Sequence, residues 1–198
     1  MKKKRIIIGI TGASGIIYGI RLLELLAKTE YETHLIVSKA AHQTRVYESK
    51  LKASELYALA DKHYPIHDIA ACISSGSYVT CGMIIAPCSM RSLAEIACGT
   101  TSNLLTRSAD VILKERRRLV LMVRESPLHL THIENMKRAT EMGAIIAPPV
   151  PAFYNRPKTI DELVNHSVGR VLDLFDIEVD IVKRWSEDNK KLSEEFGE

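Results

Sequence analysis

Short apolar runs alternate with longer amphipathic segments along most of this chain, and that alternation limits the folds open to it. Residues 5–10, 33–37, 83–86, 119–123 and 144–147 are dense in Ile, Val, Leu, Met and Ala and read as buried strands. Between them, residues 16–27, 39–49, 54–61, 89–97, 103–115, 130–142 and 160–175 read as helices. In the first of these, Ile16, Ile20, Leu23 and Leu26 recur at helical spacing. Asn103 and Thr159 stand where N-caps belong and Gly143 where a helix should stop, with Asp161 and Glu162 in a first helical turn. Strands that are apolar throughout need cover on both faces. The pattern therefore predicts a doubly wound parallel sheet in a three-layer α/β sandwich. Ligands of such folds bind beyond the carboxyl ends of the strands. The residues after Ile10, Val37, Ala86, Val123 and Ala147 are thus the ones that bear on function.

Composition narrows the field. A length of 198 residues suits one domain, read here as 1–198 with a charged helical arm from about residue 177. Lys+Arg 27 against Asp+Glu 24 leaves +3, too mild for nucleic acid to be the main partner. Cysteines at 72, 81, 88 and 98 form no C-x-x-C pair, and no metal-ligand set is visible. Lys2, Lys3, Lys4 and Arg5 precede an apolar run, but Gly9 interrupts it and Arg21 and Glu24 follow soon after, so a signal peptide is not expected. The uncharged stretch 69–90 has the length of a membrane span, yet it contains Ser74-Ser75-Gly76-Ser77 and Pro87. The expectation is a protein of the reducing cytoplasm that touches no membrane.

Each predicted strand end carries small, hydroxyl-bearing or charged residues. After the first comes Gly9-Ile10-Thr11-Gly12-Ala13-Ser14-Gly15, where backbone could approach a ligand and a helix N-terminus could offer N–H groups to an anion. A plain tight turn would look the same, and the spacing is not G-x-G-x-x-G. The second strand ends in Ser38 rather than the Asp or Glu that holds a dinucleotide ribose, which suits a mononucleotide such as FMN. The third is followed by Pro87-Cys88-Ser89-Met90-Arg91. Cys88 there reads more readily as inert packing than as a nucleophile, since no His adjoins it. Arg124-Glu125 follows the fourth strand and is harder to dismiss as a surface pair. Residues 147–157 form a proline-rich arm with Phe153 and Tyr154, and Arg170 sits in the helix beyond. Arg107 and Lys114, seven apart, share one helix face, while Arg116-Arg117-Arg118 reads as a solvated charge run. Lys114, Arg124 and Arg170 would suit a phosphate, and Glu48 and Glu125 could move protons.

Six stretches in order carry a family resemblance: residues 9–15, 74–77, 87–90, 109–116, 124–128 and 148–154. Together they resemble the UbiX-type flavin prenyltransferases, a family that includes proteins labelled as components of phenolic acid decarboxylases. The resemblance covers about residues 5–176 and implies a flavodoxin-like, Rossmann-like sheet and a dodecameric shell. It also implies a metal-independent reaction in which dimethylallyl phosphate and reduced FMN give prenylated FMN and phosphate. The product would serve a UbiD-type decarboxylase. By position it assigns FMN to Gly12, Ala13, Ser14, Ser38, Cys88, Ser89, Met90, Arg91 and Arg124. The prenyl donor goes to Lys114, Arg124, Glu125, Tyr154 and Arg170, and Arg107 stands behind them. Ser14, Glu48, Lys114 and Glu125 form the implied catalytic set. The family often has Trp where Tyr78 stands, which offers a weaker π-face to an allylic cation. Two other readings share the FMN floor. One is a flavin-dependent decarboxylase of C-terminal cysteine, though residues 151–157 lack the expected P-x-M-N-x-x-M-W pattern. The other is a non-catalytic FMN-binding subunit of a decarboxylase.

Overall fold

The computed structural model describes residues 4–181. Most of the helical arm predicted from about residue 177 lies outside them; its described part, residues 177–181, is not helical, which corrects that start. The chain divides into two compact units, Met1–Pro149 and Val150–Glu198.

The N-terminal unit is built on six parallel strands: β1 (Lys4–Ile10), β2 (Tyr31–Val37), β3 (Lys62–Tyr64), β4 (Gly82–Cys88), β5 (Arg118–Val123) and β6 (Ala144–Ile146). Their order in the sheet is β3-β2-β1-β4-β5-β6. β3 is only three residues long; without it the rest follow the flavodoxin-like order 2-1-3-4-5. The central strands are apolar because both their faces are covered, and all seven residues of β4 are buried. α1 (Ile16–Leu26) and α2 (Lys39–Glu48) pack together on one face. α4 (Met90–Ala97), α5 (Leu104–Lys114) and α6 (Leu130–Glu141) cover the other, over a core that includes Ile7, Ile36, Met83, Ile85, Leu93, Leu105, Ile112 and Leu121. The short α3 (Ala53–Ala58) leads into β3.

Local chemistry sets the helix ends. Ser38 Oγ accepts from Ala41 N at 3.1 Å and Ser89 Oγ from Ser92 N at 3.3 Å. Asn103 Oδ1 accepts from Leu105 N and Thr106 N at 2.9 and 3.1 Å. Gly143, at φ +103°, closes α6. The second unit contains α7 (Ile160–Asp173), capped by Thr159 Oγ1, which accepts from Glu162 N at 3.2 Å.

Two elements depart from the sequence pattern. β3 has no signature of its own: Lys62, His63 and Tyr64 are polar or half-exposed, and only pairing with His34–Ile36 makes them a strand. The pattern ends β4 at Ala86, but the strand runs on through Pro87 to Cys88, with its register against β5 shifting between Ile85 and Cys88. A proline that donates nothing is tolerated where the ladder is already interrupted. Among the described residues no helix is long and apolar enough to cross a membrane.

β1 and β4 are neighbours whose following helices lie on opposite faces, so their carboxyl ends part and leave a crevice. Thr11 clasps the two ends. It is 1% exposed; its N and Oγ1 both donate to Pro87 O, at 3.2 and 2.7 Å. Its Oγ1 in turn accepts from Ser89 N at 2.7 Å. Thr11→Val keeps the shape and strands the Ser89 N–H. We expect the urea midpoint to fall by the equivalent of about 1–3 kcal/mol, with Thr11→Ser close to wild type. Equal midpoints for the Val and Ser variants would refute the clasp.

Candidate active site

Beside the switch point lies a cleft of about 180 Å³ lined by residues that include Gly12, Ser38, Lys39, Ser89, Arg91 and Ser92. The N-termini of α2 and α4 both meet it, so backbone N–H groups and serine hydroxyls converge there. Gly12 has to be glycine, because a Cβ at that position would lie 2.4 Å from Ala40 Cβ. Four residues that the sequence ties to a flavin line this cleft: Gly12, Ser38, Ser89 and Arg91. Lys39, Ser92, Glu95 and Asn103 line it as well, and sequence reasoning missed them as site residues. Asn103 reads from sequence only as a helix cap. The spacing Arg91 to Glu95 is the available sign for Glu95: its carboxylate accepts from Arg91 Nε at 3.0 Å and from Ser102 Oγ at 2.7 Å. The Arg91 side chain is 85% exposed and pairs with Glu95 in this structure.

The start of α1 differs from expectation. Its N-terminal N–H groups are not left for a ligand. Gly15 N and Ile16 N both donate to Glu48 Oε2, at 2.8 and 3.0 Å. Gly15 holds this corner at φ +104°, where a Cβ would also strike the Tyr18 ring at 2.9 Å. Partial burial pushes the Glu48 carboxyl up. Hydrogen bonds from Ser14, Gly15 and Ile16, with the charge of Arg124, outweigh that and leave it below the ordinary carboxylate range. Ser14, Glu48 and Arg124 therefore act on one another. Tyr18 joins them: burial raises its phenol and the Arg124 charge opposes the rise. In the sequence Tyr18 is one position in the first turn of a helix, which gives no sign of this contact.

The remaining candidates divide by position. Cys88 is fully buried and its thiol is pushed up to about 12 by burial, so it offers no thiolate at neutral pH. Met90 opens α4 and packs on the core. Ala13 is half-exposed and Ser14 exposed, between the cleft and the Glu48 corner. Arg124 and Glu125 follow β5 at the same sheet edge, both exposed, with Arg124 N donating to Cys88 O at 3.1 Å. Lys114 is elsewhere. It ends α5, and β5 then runs the width of the sheet before Arg124 is reached, about 20 Å along the strand. There Lys114 pairs with Glu115 beside Gly76. Arg117 donates to Gly76 O and Tyr78 O at 2.7 and 3.1 Å, and Arg5 stands 4.2 Å from the centre of the Tyr78 ring. Arg107, on α5, pairs with Asp110 at 2.8 Å. In the C-terminal unit Tyr154 Oη lies 2.8 Å from His166 Nε2, and Arg170 Nη1 lies 2.6 Å from Asp173 Oδ2. Among the described residues no group of three or more His, Cys, Asp or Glu could hold a metal ion.

The family model described as Flavoprotein matches residues 1–172. Flavin prenyltransferase UbiX of Neisseria meningitidis is 57% identical over 182 residues, 92% of this chain and 96% of its own. The chain belongs to the UbiX-type flavin prenyltransferases. The crystal structure of AnUbiX (PadA1), in complex with FMN and dimethylallyl pyrophosphate, superposes with a TM-score of 0.92. It is 48% identical, covering 93% of this chain and 98% of that one. A dodecameric FMN-dependent UbiX-like decarboxylase from Escherichia coli O157:H7 is also 48% identical, with a TM-score of 0.90 over 92% of this chain and 99% of its own.

In this flavin prenyltransferase the Glu48 corner has a measurable signature. A carboxyl whose folded pKa is depressed adds stability above its ordinary value of 4.5 and loses it as pH falls through the depressed value. The stability advantage of wild type over Glu48→Gln should therefore be full at neutral pH and shrink below about pH 4.5. Urea unfolding of both proteins across that range checks it, and a pH-independent difference would count against the ionised cap.

Proposed function

We propose that this protein joins the dimethylallyl group of dimethylallyl phosphate to N5 and C6 of reduced FMN, releasing phosphate. The observation that carries the reading is the meeting, at one switch point, of a cleft edged by two helix N-termini with the Ser14–Glu48–Arg124 group. The cleft suits a flavin mononucleotide: serine hydroxyls, backbone N–H groups and Arg91 supply donors for its phosphate, and Gly12 leaves room for it. Both units belong to one flavoprotein domain in this reading, and the family model running past Pro149 to residue 172 supports that.

Breaking an allylic C–O bond puts negative charge on the phosphate and positive charge on the prenyl carbons. Fixed guanidinium and ammonium groups stabilise the first charge, and aromatic faces the second. We assign the phosphate to Lys114, Arg124, Glu125, Tyr154 and Arg170, with Glu125 giving it a proton as it leaves. N5 loses its proton as the first bond forms, matching the proton that Glu125 gives the phosphate. Closure at C6 adds a proton to the prenyl double bond, and Glu48 accepts the proton that C6 then loses. Its hydrogen bonds make it a weak base, adequate only for a carbon already made acidic by the attacking prenyl cation. Lys114 and Arg124 stand at opposite edges of one sheet, so Lys114 acts on a donor held by another copy of the chain. That gives a reason for a homo-oligomer, and the dodecameric E. coli relative supports twelve copies. We place the enzyme in the cytoplasm, where its free Cys72 and Cys98 thiols, both exposed, stay reduced. The product goes to a UbiD-type decarboxylase.

Anaerobic incubation with reduced FMN and dimethylallyl phosphate is expected to release phosphate and yield a flavin heavier by C5H8, the dimethylallyl group less one hydrogen. Bound FMN without phosphate release would instead favour a non-catalytic subunit. Glu48→Gln should bind FMN but stall before the cyclised product; a wild-type product spectrum would discard that role. Arg170→Ala should raise the donor KM about 10-fold or more while FMN affinity holds, and an unchanged KM would remove Arg170 from the phosphate clamp.

A further inference from the structure

Three charged side chains meet a backbone turn at the amino edge of the sheet, and the reaction above uses only one of them. Lys114 closes α5, Glu115 follows it, and Arg117 stands one residue before β5. The Glu115 carboxylate pairs with Lys114 Nζ through Oε1, and its Oε2 lies 3.9 Å from Arg117 Nη2. Arg117, with a side chain 16% exposed, is the most buried of the three. Its Nη2 donates to Gly76 O at 2.7 Å and its Nη1 to Tyr78 O at 3.1 Å. Arg5, from β1, holds the other end of the same turn. Its Nη1 donates to Val79 O at 3.4 Å, and its guanidinium lies over the Tyr78 ring.

Gly76 is where this turn meets the ion pair. A Cβ there would overlap Glu115 Oε1 and stand 2.8 Å from Lys114 Nζ. Its φ lies outside the left-handed region, so backbone geometry alone does not call for glycine; the space does. The Lys114 ammonium ends a flexible four-carbon stem, and an exposed ion pair is too weak to fix it alone. A notch one Cβ deep, walled by backbone that Arg117 pins, confines it. The hydrogen bond and charge of Lys114, with the Arg117 charge behind them, hold the Glu115 carboxyl below its usual range, so it is ionised at neutral pH. Two cations then share one carboxylate, and the group keeps a net positive charge to offer an anion.

We propose that Gly76 is a positioning residue for the prenyl donor: its missing side chain is the notch that seats the Lys114 ammonium, and Arg117 fixes that notch by holding the Gly76 carbonyl. The inference rests on Lys114 acting on the donor phosphate, as assigned above. It adds what sets the place of that charge.

The test adds one methyl group. The atoms that a Gly76→Ala side chain meets are the ends of flexible side chains, so the fold should hold while the ion pair moves. Donor kcat and KM are measured at saturating reduced FMN, alongside FMN affinity, the thermal midpoint and oligomer mass by light scattering. Gly76→Ala should lower kcat/KM for the donor about 10-fold, with FMN affinity within about twofold of wild type and the thermal midpoint close to it. Lys114→Ala should lower kcat/KM at least as much, and the Gly76→Ala/Lys114→Ala double variant should lose little more than Lys114→Ala alone. An unchanged kcat/KM in Gly76→Ala, additive losses in the double variant, or a loss that comes with a smaller oligomer overturns the role of Gly76 and leaves Lys114 a ligand. An unchanged kcat/KM in Lys114→Ala overturns the assignment of Lys114 itself. If Gly76→Ala does not fold, Arg117→Met, which keeps the stem and releases the carbonyl, supplies the same cycle with Lys114→Ala.

Discussion

Two hydrogen-bonded strands whose chains depart to opposite faces leave a crevice at their ends, and every polar group around it must still find a partner. Thr11 does most of that at the β1–β4 boundary. One side chain, 1% exposed, links Pro87 O to Ser89 N across a position where the proline can donate nothing. Ser38 N donates to Ile10 O at 2.9 Å on the other side of β1, and the Ser38 hydroxyl then caps α2. The serines that edge the cleft are thus held by backbone bonds before any ligand arrives. Preorganisation of this kind lowers the ordering cost that binding would otherwise carry.

The same edge shows how an internal anion changes the use of a helix N-terminus. A glycine-rich turn opening a helix suggests phosphate binding, and α1 has the turn. Its first N–H groups instead hold Glu48, a residue from the far end of α2. The positive end of α1 thereby stabilises a carboxylate. The N-termini of α2 and α4 meet the cleft instead, with Asn103, the cap of α5, beside them. One helix holds a carboxylate and others frame a cleft, all at the carboxyl edge of one sheet.

The fold is legible in the sequence because its signals are local and strong. Unbroken apolar strands, caps at Asn103 and Thr159, and Gly143 as a stop each act within a few residues. β3 is not legible, since its three polar residues become a strand only through β2. At the site, Ser38, Ser89 and Arg91 can be found from their places just past the ends of apolar strands. Glu48, Glu125 and Lys114 can be named as charges, but their roles come from the family pattern. Tyr18 and His166 are invisible to both approaches, and Glu95 shows only through its spacing from Arg91. Each gains its surroundings from a residue outside its own helix: Arg124 for Tyr18, Ser102 for Glu95, Tyr154 for His166.

The charge distribution carries the last step. Arg124 and Glu125 stand beyond the carboxyl end of β5, while Lys114, Arg117 and Arg118 gather at its amino end with Arg5 and the Gly76–Tyr78 segment. No side-chain rotation spans a strand of that length. Groups so divided can serve one allylic phosphate only if the amino edge of one copy meets the carboxyl edge of another. Assembly is then part of the chemistry. On the assignment proposed above, an isolated chain lacks one of the cations that pull the leaving group away, and the cost falls on bond cleavage rather than on flavin binding.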